Sequence, residues 1–317
     1  MPSPHSGARL LLVAKFNQRY HRTGLAIRDA LQAAECEVEC IEERTRGLDA
    51  LLRRPLGTRL AGVIAKRPPD LILVFKGETL TPSIIEDLRP RSNARWVNWF
   101  PDGPHLLDLS LQNGRAYDRC FIFDTSMVDR HRELGRMADY LAEGCEPGFH
   151  RPLPDPARAW VPLAFVGSVE PMRVEALSVV RDLGLSAWGP GWPTGPLYGD
   201  EFIRAFSNAR VALNVHQFFG EPAGLGRYGT GANRRVFELA AIGTVQLCDG
   251  KADIARNFVE DSEIVLFRSL PELRSKAEEL LTRAEEAQAI GVRARKRALQ
   301  EHTWAHRVEE LLSVALR

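Results

Sequence analysis

The chain has 317 residues, 44% of them hydrophobic and 26% charged, with 42 Lys and Arg against 41 Asp and Glu. That length suits two ordinary globular domains, and a net charge of +1 gives no general attraction to nucleic acid or to an anionic membrane. No run approaches the ~20 apolar residues of a membrane span. The start, Met-Pro-Ser-Pro-His-Ser-Gly, lacks the charged region and apolar core of a signal peptide.

Residues 9–16 form a short apolar run, read as a buried strand. Helical spacing follows over 23–34 through Leu25, Ile27, Ala30, Leu31 and Ala34. Residues 37–41 alternate as a strand does, and 48–65 read as a helix in two pieces around Pro55 and Gly57. The run 70–76, Asp-Leu-Ile-Leu-Val-Phe-Lys, is the clearest strand. Pro82 opens a short helix to residue 88, and 95–100 and 119–124 are further strands. This β-α-β-α order predicts a parallel sheet covered by helices on both faces.

Pro147, Pro152, Pro154, Pro156 and Pro162 mark a linker. The alternation then restarts, with strands at 163–169, 185–188, 211–216, 244–248 and 264–267. Helices fall at 173–183, 200–209, 233–242 and near 254–258, and 270–315 is helical with a break near 301–303. The expected fold is α/β, two doubly wound Rossmann-like domains facing a cleft, with ligands beyond the C-terminal ends of the strands. The expected boundaries are 1–150 and 151–300, with 301–317 a last helix able to cross back to the first domain. Cys36, Cys40, Cys120, Cys145 and Cys248 form no Cys-x-x-Cys pair. They are expected as buried free thiols in a reducing, cytoplasmic setting.

The helix at 233–242 carries the strongest signal. Arg234 and Arg235 open it against the helix dipole, and Glu238 stands on an apolar helix, where a buried carboxylate needs a partner. An anionic, hydroxyl-bearing ligand would answer both, with phosphate at the helix start beside Asn233 and a ribose diol on Glu238. The preceding loop holds Gly220, Gly224, Gly226, Gly229 and Gly231, which would let backbone amides approach a phosphate. Gly224-Leu-Gly226-Arg-Tyr-Gly229 also matches a dinucleotide fingerprint, with Asp249 twenty residues on. Its context differs, because Thr230 to Ala232 intervene before the helix.

Other strand ends add candidates. Gly167-Ser168, with Arg173 near the next helix start, suits an anion. Asn214 and His216 end one strand, and Lys251 follows another. In the first half, Lys76-Gly77-Glu78 and Asp102 also end strands, and Asp102 could contact a substrate or act as a base. Trp188, Trp192 and Tyr198, in or beside the loop 189–199, could stack on a ligand or simply pack. Neither a Ser-His-Asp pattern nor metal-ligand spacing is visible, and His302 and His306 read as structural.

Asn233-Arg-Arg-Val-Phe-Glu238-Leu-Ala-Ala-Ile-Gly243 resembles the signature of CgeB-like glycosyltransferases, a branch of the group 1 transferases with the GT-B fold. So do His302-Thr-Trp-Ala-His-Arg307-Val-Glu-Glu-Leu-Leu and Phe165-Val-Gly-Ser168 with Arg173. Pro69-Asp-Leu-Ile-Leu-Val-Phe-Lys76-Gly and Trp99-Phe-Pro-Asp102-Gly-Pro resemble the family's N-terminal domain. The resemblance implies sugar transfer from a nucleotide-sugar donor (UDP-, GDP- or dTDP-linked) on the second domain. The acceptor, a glycan, protein or small molecule, would sit on the first. It implies a ribose role for Glu238, diphosphate roles for Arg173 and Lys251, retention of configuration, and no metal or further cofactor. The leaving diphosphate would be stabilised electrostatically. Thr230 stands eight positions before Glu238, where the family's motif has its first Glu, so the motif does not give the donor sugar. The alternatives are a non-catalytic sugar-nucleotide or glycan-binding module, an NAD-dependent oxidoreductase using the Gly224 loop, and a nucleotide-sugar epimerase.

Overall fold

The computed structural model describes residues 4–16, 22–44, 55–217 and 229–317. The chain divides into two compact units, Met1–Ala142 with Trp304–Arg317, and Glu143–Thr303. The prolines from 147 to 162 therefore lie inside the second unit, not between two units.

The first unit is built on a six-stranded sheet: β1 (Arg9–Ala14), β2 (Glu37–Glu42), β3 (Leu71–Phe75), β4 (Arg95–Phe100), β5 (Arg119–Ile122) and β6 (Ala138–Tyr140). All its pairings are parallel, in the order β2-β1-β3-β4-β5-β6. The inner strands are apolar on both faces because both are covered, as a parallel sheet requires. Leu11, Val13, Ile72, Val74, Trp96 and Phe100 enter one core, and Leu10, Leu12, Leu71, Leu73, Val97 and Trp99 the other, following the two-residue period of a strand. The last helix, Trp304–Ala315, belongs to this unit and packs into the second of those cores. Trp304 meets Trp99 edge-on, with ring centroids 5.4 Å apart.

The second unit holds five parallel strands: β7 (Val161–Val166), β8 (Leu185–Trp188), β9 (Ala209–Asn214), β10 (Gln246–Asp249) and β11 (Val265–Phe267). Their order is β11-β10-β9-β7-β8. In each sheet the winding reverses between two neighbouring strands, β1 and β3 in the first unit and β7 and β9 in the second. Such switch points are where open α/β sheets bind ligands.

The structure refines several elements. The helix expected over 48–65 is described as Leu56–Lys66, its earlier part lying outside the described residues. Residues near 254–258 form a short 3-10 turn, Ala252–Arg256, in place of an α-helix. The 270–315 stretch breaks at Arg283 as well as at 302–303, because the Arg283 backbone leaves the helical region at φ −101° and ψ 61°. His302 is buried and donates from Nε2 to the Asn257 carbonyl at 2.7 Å, a structural use. All five cysteines are free; Cys40 is exposed and the other four are buried. Among the described residues, no helix is long and apolar enough to cross a membrane.

Candidate functional site

The candidate site grows from the switch point of the second sheet. At the end of β7, Gly167 donates its N–H to the Trp188 carbonyl at 2.8 Å, and the Trp192 indole donates to the Gly167 carbonyl at 2.9 Å. Trp192 also meets Phe165 edge-on, so it packs the turn. Arg173, in the helix Pro171–Ser178, spans the reversal. Its Nε donates to the Val215 carbonyl beyond β9 at 2.9 Å, and its Nη1 donates to Ser168 Oγ at 2.9 Å. Burial lowers the Arg173 pKa, with Glu170 and Asp249 opposing it. Guanidinium basicity is so high that Arg173 stays charged.

The end of β9 is tied to the Glu238 helix by a closed polar network. Asn233 caps that helix, Arg234–Ile242, its side chain accepting from the Val236 N–H at 3.2 Å. Asn214 and Asn233 exchange side-chain amide hydrogen bonds at 3.1 and 3.2 Å. The Asn233 N–H donates to His216 Nε2 at 3.1 Å, so Nε2 is the acceptor and Nδ1 carries the proton. That Nδ1–H donates to Asp249 Oδ1 at 2.7 Å, and the His216 backbone N–H reaches the same oxygen at 2.7 Å. Asn214, His216 and Asn233 therefore fix the helix start to the sheet and satisfy one another. Asp249, the acid twenty residues after Gly229, is buried and committed to His216. Gly220, Gly224 and Gly226 lie outside the described residues, as does most of the fingerprint loop.

Glu238 does not wait for a ligand to neutralise it. Arg234 Nε donates to its Oε1 at 2.9 Å, Arg235 Nε lies 3.5 Å from Oε2, and His150 Nε2 lies 3.7 Å from Oε1. The two arginines are thus paired one turn into their own helix, which offsets their unfavourable place at its positive end. Arg235 is drawn away from the helix mouth; its guanidinium lies 4.4 Å above the Phe202 ring and 5.8 Å from Phe206. His150 Nδ1 accepts from the Glu146 N–H at 3.0 Å, so its Nε2–H faces Glu238. Burial lowers the His150 pKa, more than the neighbouring Glu238 and Glu146 raise it.

Burial alone would raise the Glu238 pKa, but Arg235, Arg234 and His150 outweigh it and hold it at about 2, below the ordinary 4.5. The folded value lies below the unfolded one, so this stabilisation is complete above about pH 4.5 and is lost as the pH falls toward 2. Urea unfolding across that range should show falling stability, and Glu238→Gln should flatten the slope.

Lys251 follows β10, and its charge acts on Asp249. Thr230 Oγ1 donates to Asp253 Oδ2 at 2.9 Å, so a buried carboxylate stands beside the position from which the motif's first Glu is absent. Among the described residues one cluster could gather a metal, His216, Cys248 and Asp249. It is poorly suited to one: the His216 Nδ1 proton is already given to Asp249, and burial pushes the Cys248 thiol well above its ordinary range. In the first unit, Asp102 pairs with Lys76 Nζ at 3.0 Å. His150, Phe202 and Asp253 were not legible as site residues from spacing, because none sits in a recognisable interval from the group it meets.

Residues 172–313 match the sequence model of a family described as glycosyl transferase-like. No curated protein sequence matches the chain significantly. Among solved structures, sucrose-phosphate synthase from Thermosynechococcus elongatus is 13% identical, with 97% of this chain and 98% of that chain covered and a TM-score of 0.66. HepE from Anabaena, solved with UDP and glucose, is 11% identical over 96% and 98% of the two chains, at a TM-score of 0.65. A glycosyltransferase from Rickettsia africae is 11% identical over 98% of each chain, at 0.59. The two parallel α/β sheets are therefore those of the GT-B glycosyltransferase fold, and Arg173, Glu238 and Lys251 lie within the glycosyl transferase-like stretch, while His150, Gly167 and Ser168 precede it.

Proposed function

We propose that the protein is a glycosyltransferase that moves a sugar from a nucleotide-diphosphate donor, bound by the second unit, to an acceptor bound by the first. The observation that carries this reading is the Glu238 cluster beside a switch point in glycosyl transferase-like sequence. A carboxylate has about four acceptor positions. Among the described residues, the hydrogen bond of good length that reaches Glu238 comes from Arg234, which leaves capacity for the two hydroxyls of a ribose. Arg173 and Lys251 are assigned to the diphosphate, together with the amide of Ser168 and the start of the Arg234–Ile242 helix; the Gly167 N–H, expected there too, is instead given to the Trp188 carbonyl. Asp102 is assigned to the acceptor as contact or base. The bound UDP and glucose of the HepE structure support a uridine donor. With cationic side chains and a helix dipole for the diphosphate, the reaction would proceed without a divalent metal, and retention follows by likeness to CgeB-like enzymes.

Thermal unfolding with UDP, GDP, dTDP or NAD tests the donor site. At a hundred times its dissociation constant, a bound nucleotide adds about 2.7 kcal/mol of stability. A shift with UDP and none with NAD is expected; a shift with NAD alone would reject the reading. Thr230, in place of the motif's first Glu, favours a second reading, a module that holds a sugar nucleotide without turnover. Slow hydrolysis of UDP-glucose or another UDP-sugar separates the two, since the module would show none.

A further inference from the structure

The candidate donor groups follow the strands of the second sheet; a groove of about 700 Å³ lies at the other end, where those strands begin. A space of that size holds a medium-sized organic ligand. Part of its lining is the proline-rich stretch before β7, with Pro152, Pro154 and Trp160. Hydrogen bonds pin that stretch to the turn before β9. The Leu153 N–H donates to Ser207 Oγ at 2.9 Å, the Asp155 N–H donates to Asn208 Oδ1 at 2.9 Å, and Asn208 Nδ2 donates to the Asp155 carbonyl at 2.9 Å. The rest of the lining comes from the start of β9, the turn before β10 and the helix Ala284–Glu301.

Folding does not account for two side chains on this groove. Trp160 is 58% exposed, and among the described residues its ring meets no other aromatic ring and its indole N–H has no acceptor. Val292, 60% exposed, lines the same groove. Exposed apolar side chains scattered singly are ordinary, but two on one concavity form a patch of the kind that marks a binding groove. Arg210 is the second residue of β9, an inner strand, and among the described residues its side chain has no ion pair and no hydrogen bond. The arginines that open strands of the first unit are all held: Arg9 by Asp70, Arg119 by Asp139, and Arg95 by the Ala315 carbonyl.

The charged residues on the lining are Arg210, Arg295 and Glu285, two cations against one anion. Arg295 donates to the Ala241 carbonyl, so its charge answers the negative end of the helix Arg234–Ile242. Glu285 stands in the first turn of the helix Ala284–Glu301, whose positive end favours it. Of the three, Arg210 is left with nothing to balance it. We propose that this groove binds an aromatic monoanion, a flat apolar body carrying one carboxylate. The body would lie against Trp160 and Val292, and the carboxylate would meet the planar fork of Arg210, which matches it with two parallel hydrogen bonds. The inference stands independently of the proposed sugar transfer, because none of these residues is assigned to donor or acceptor.

The test is a ligand-observed NMR titration of the full chain with three biphenyls that differ only in their polar group: biphenyl-4-carboxylate, biphenyl-4-methanol and biphenyl-4-methylammonium. Decanoate serves as an anion without a ring. The carboxylate should bind about fivefold more tightly than the alcohol, the upper end for an ion pair open to solvent, and the ammonium should bind more weakly than either. Arg210→Gln should bring the carboxylate down to the affinity of the alcohol. Trp160→Ala should weaken all three biphenyls about tenfold. Both side chains are exposed, so both variants should fold. Absence of carboxylate binding, equal binding of carboxylate and alcohol, tighter binding of decanoate than of the biphenyl acid, or full affinity in either variant would overturn the inference. So would a dimer, seen by sedimentation, that Trp160→Ala dissolves, because a second copy of the chain would then cover the groove.

Discussion

Glu238→Ala should lower the unfolding free energy by about 3–5 kcal/mol, the cost of removing one partner from a buried ion cluster. The loss is large because Arg235 cannot follow the missing charge. Its guanidinium is lodged over Phe202 and Phe206, so it stays desolvated and unpaired. His150, buried beside the same carboxylate, loses the acceptor that its Nε2–H faces. Glu238→Gln keeps an amide oxygen for Arg234 and should lose less. In that folded variant the ribose role becomes visible separately. Replacing a charged acceptor costs about 1.5–3 kcal/mol, or roughly 10- to 150-fold in UDP affinity. Urea unfolding reads the first effect and UDP titration the second. A stability loss under about 1 kcal/mol would mean that the cluster is solvated, and unchanged UDP affinity in Glu238→Gln would end the ribose assignment.

The contrast between what Glu238 suggested in sequence and what surrounds it shows where periodicity stops informing. The helix was legible almost to the residue, because Asn233 is an N-cap, Gly243 a left-handed end, and the apolar positions between them keep helical spacing. The strand ends that carry Gly167, Asn214 and Lys251 were legible too, since buried parallel strands are short apolar runs closed by turn residues. Side-chain partnership was not. His150 lies in a proline-rich stretch that reads as a linker, yet it folds against Glu238. His216 reads as a candidate ligand contact, yet Asp249 and the Asn233 amide use both its ring nitrogens. Spacing along the chain reports which face is buried; it does not report which buried polar groups find each other across the fold. Short elements escaped for a related reason. The three residues of β6 carry too little pattern to stand out, although they complete the first sheet.

Gly189→Ala should cost about 1–3 kcal/mol from overpacking, with backbone strain added, and should abolish the UDP-induced shift. Gly189 follows β8 with φ +140°, and a Cβ there would sit 2.0 Å from the Gly167 carbonyl oxygen and 2.6 Å from its carbon. Both atoms are backbone, so no side chain can swing aside. The β7 turn itself would have to move. That turn carries Ser168, whose hydroxyl accepts from Arg173, and the Gly167 carbonyl that the Trp192 indole holds. Displacing it pulls apart the groups assigned to the diphosphate. Gly195→Ala is the control. It has a positive φ of +71° but nothing within 4 Å of the added carbon, so it bears conformational strain of about 1–2 kcal/mol alone. Gly195→Ala should therefore keep its UDP shift. Equal loss of UDP binding in the two variants would show that left-handed backbone, and not the approach of β8 to the β7 turn, controls the site. Loss confined to Gly189→Ala would place the nucleotide's phosphates against the one turn that this contact holds.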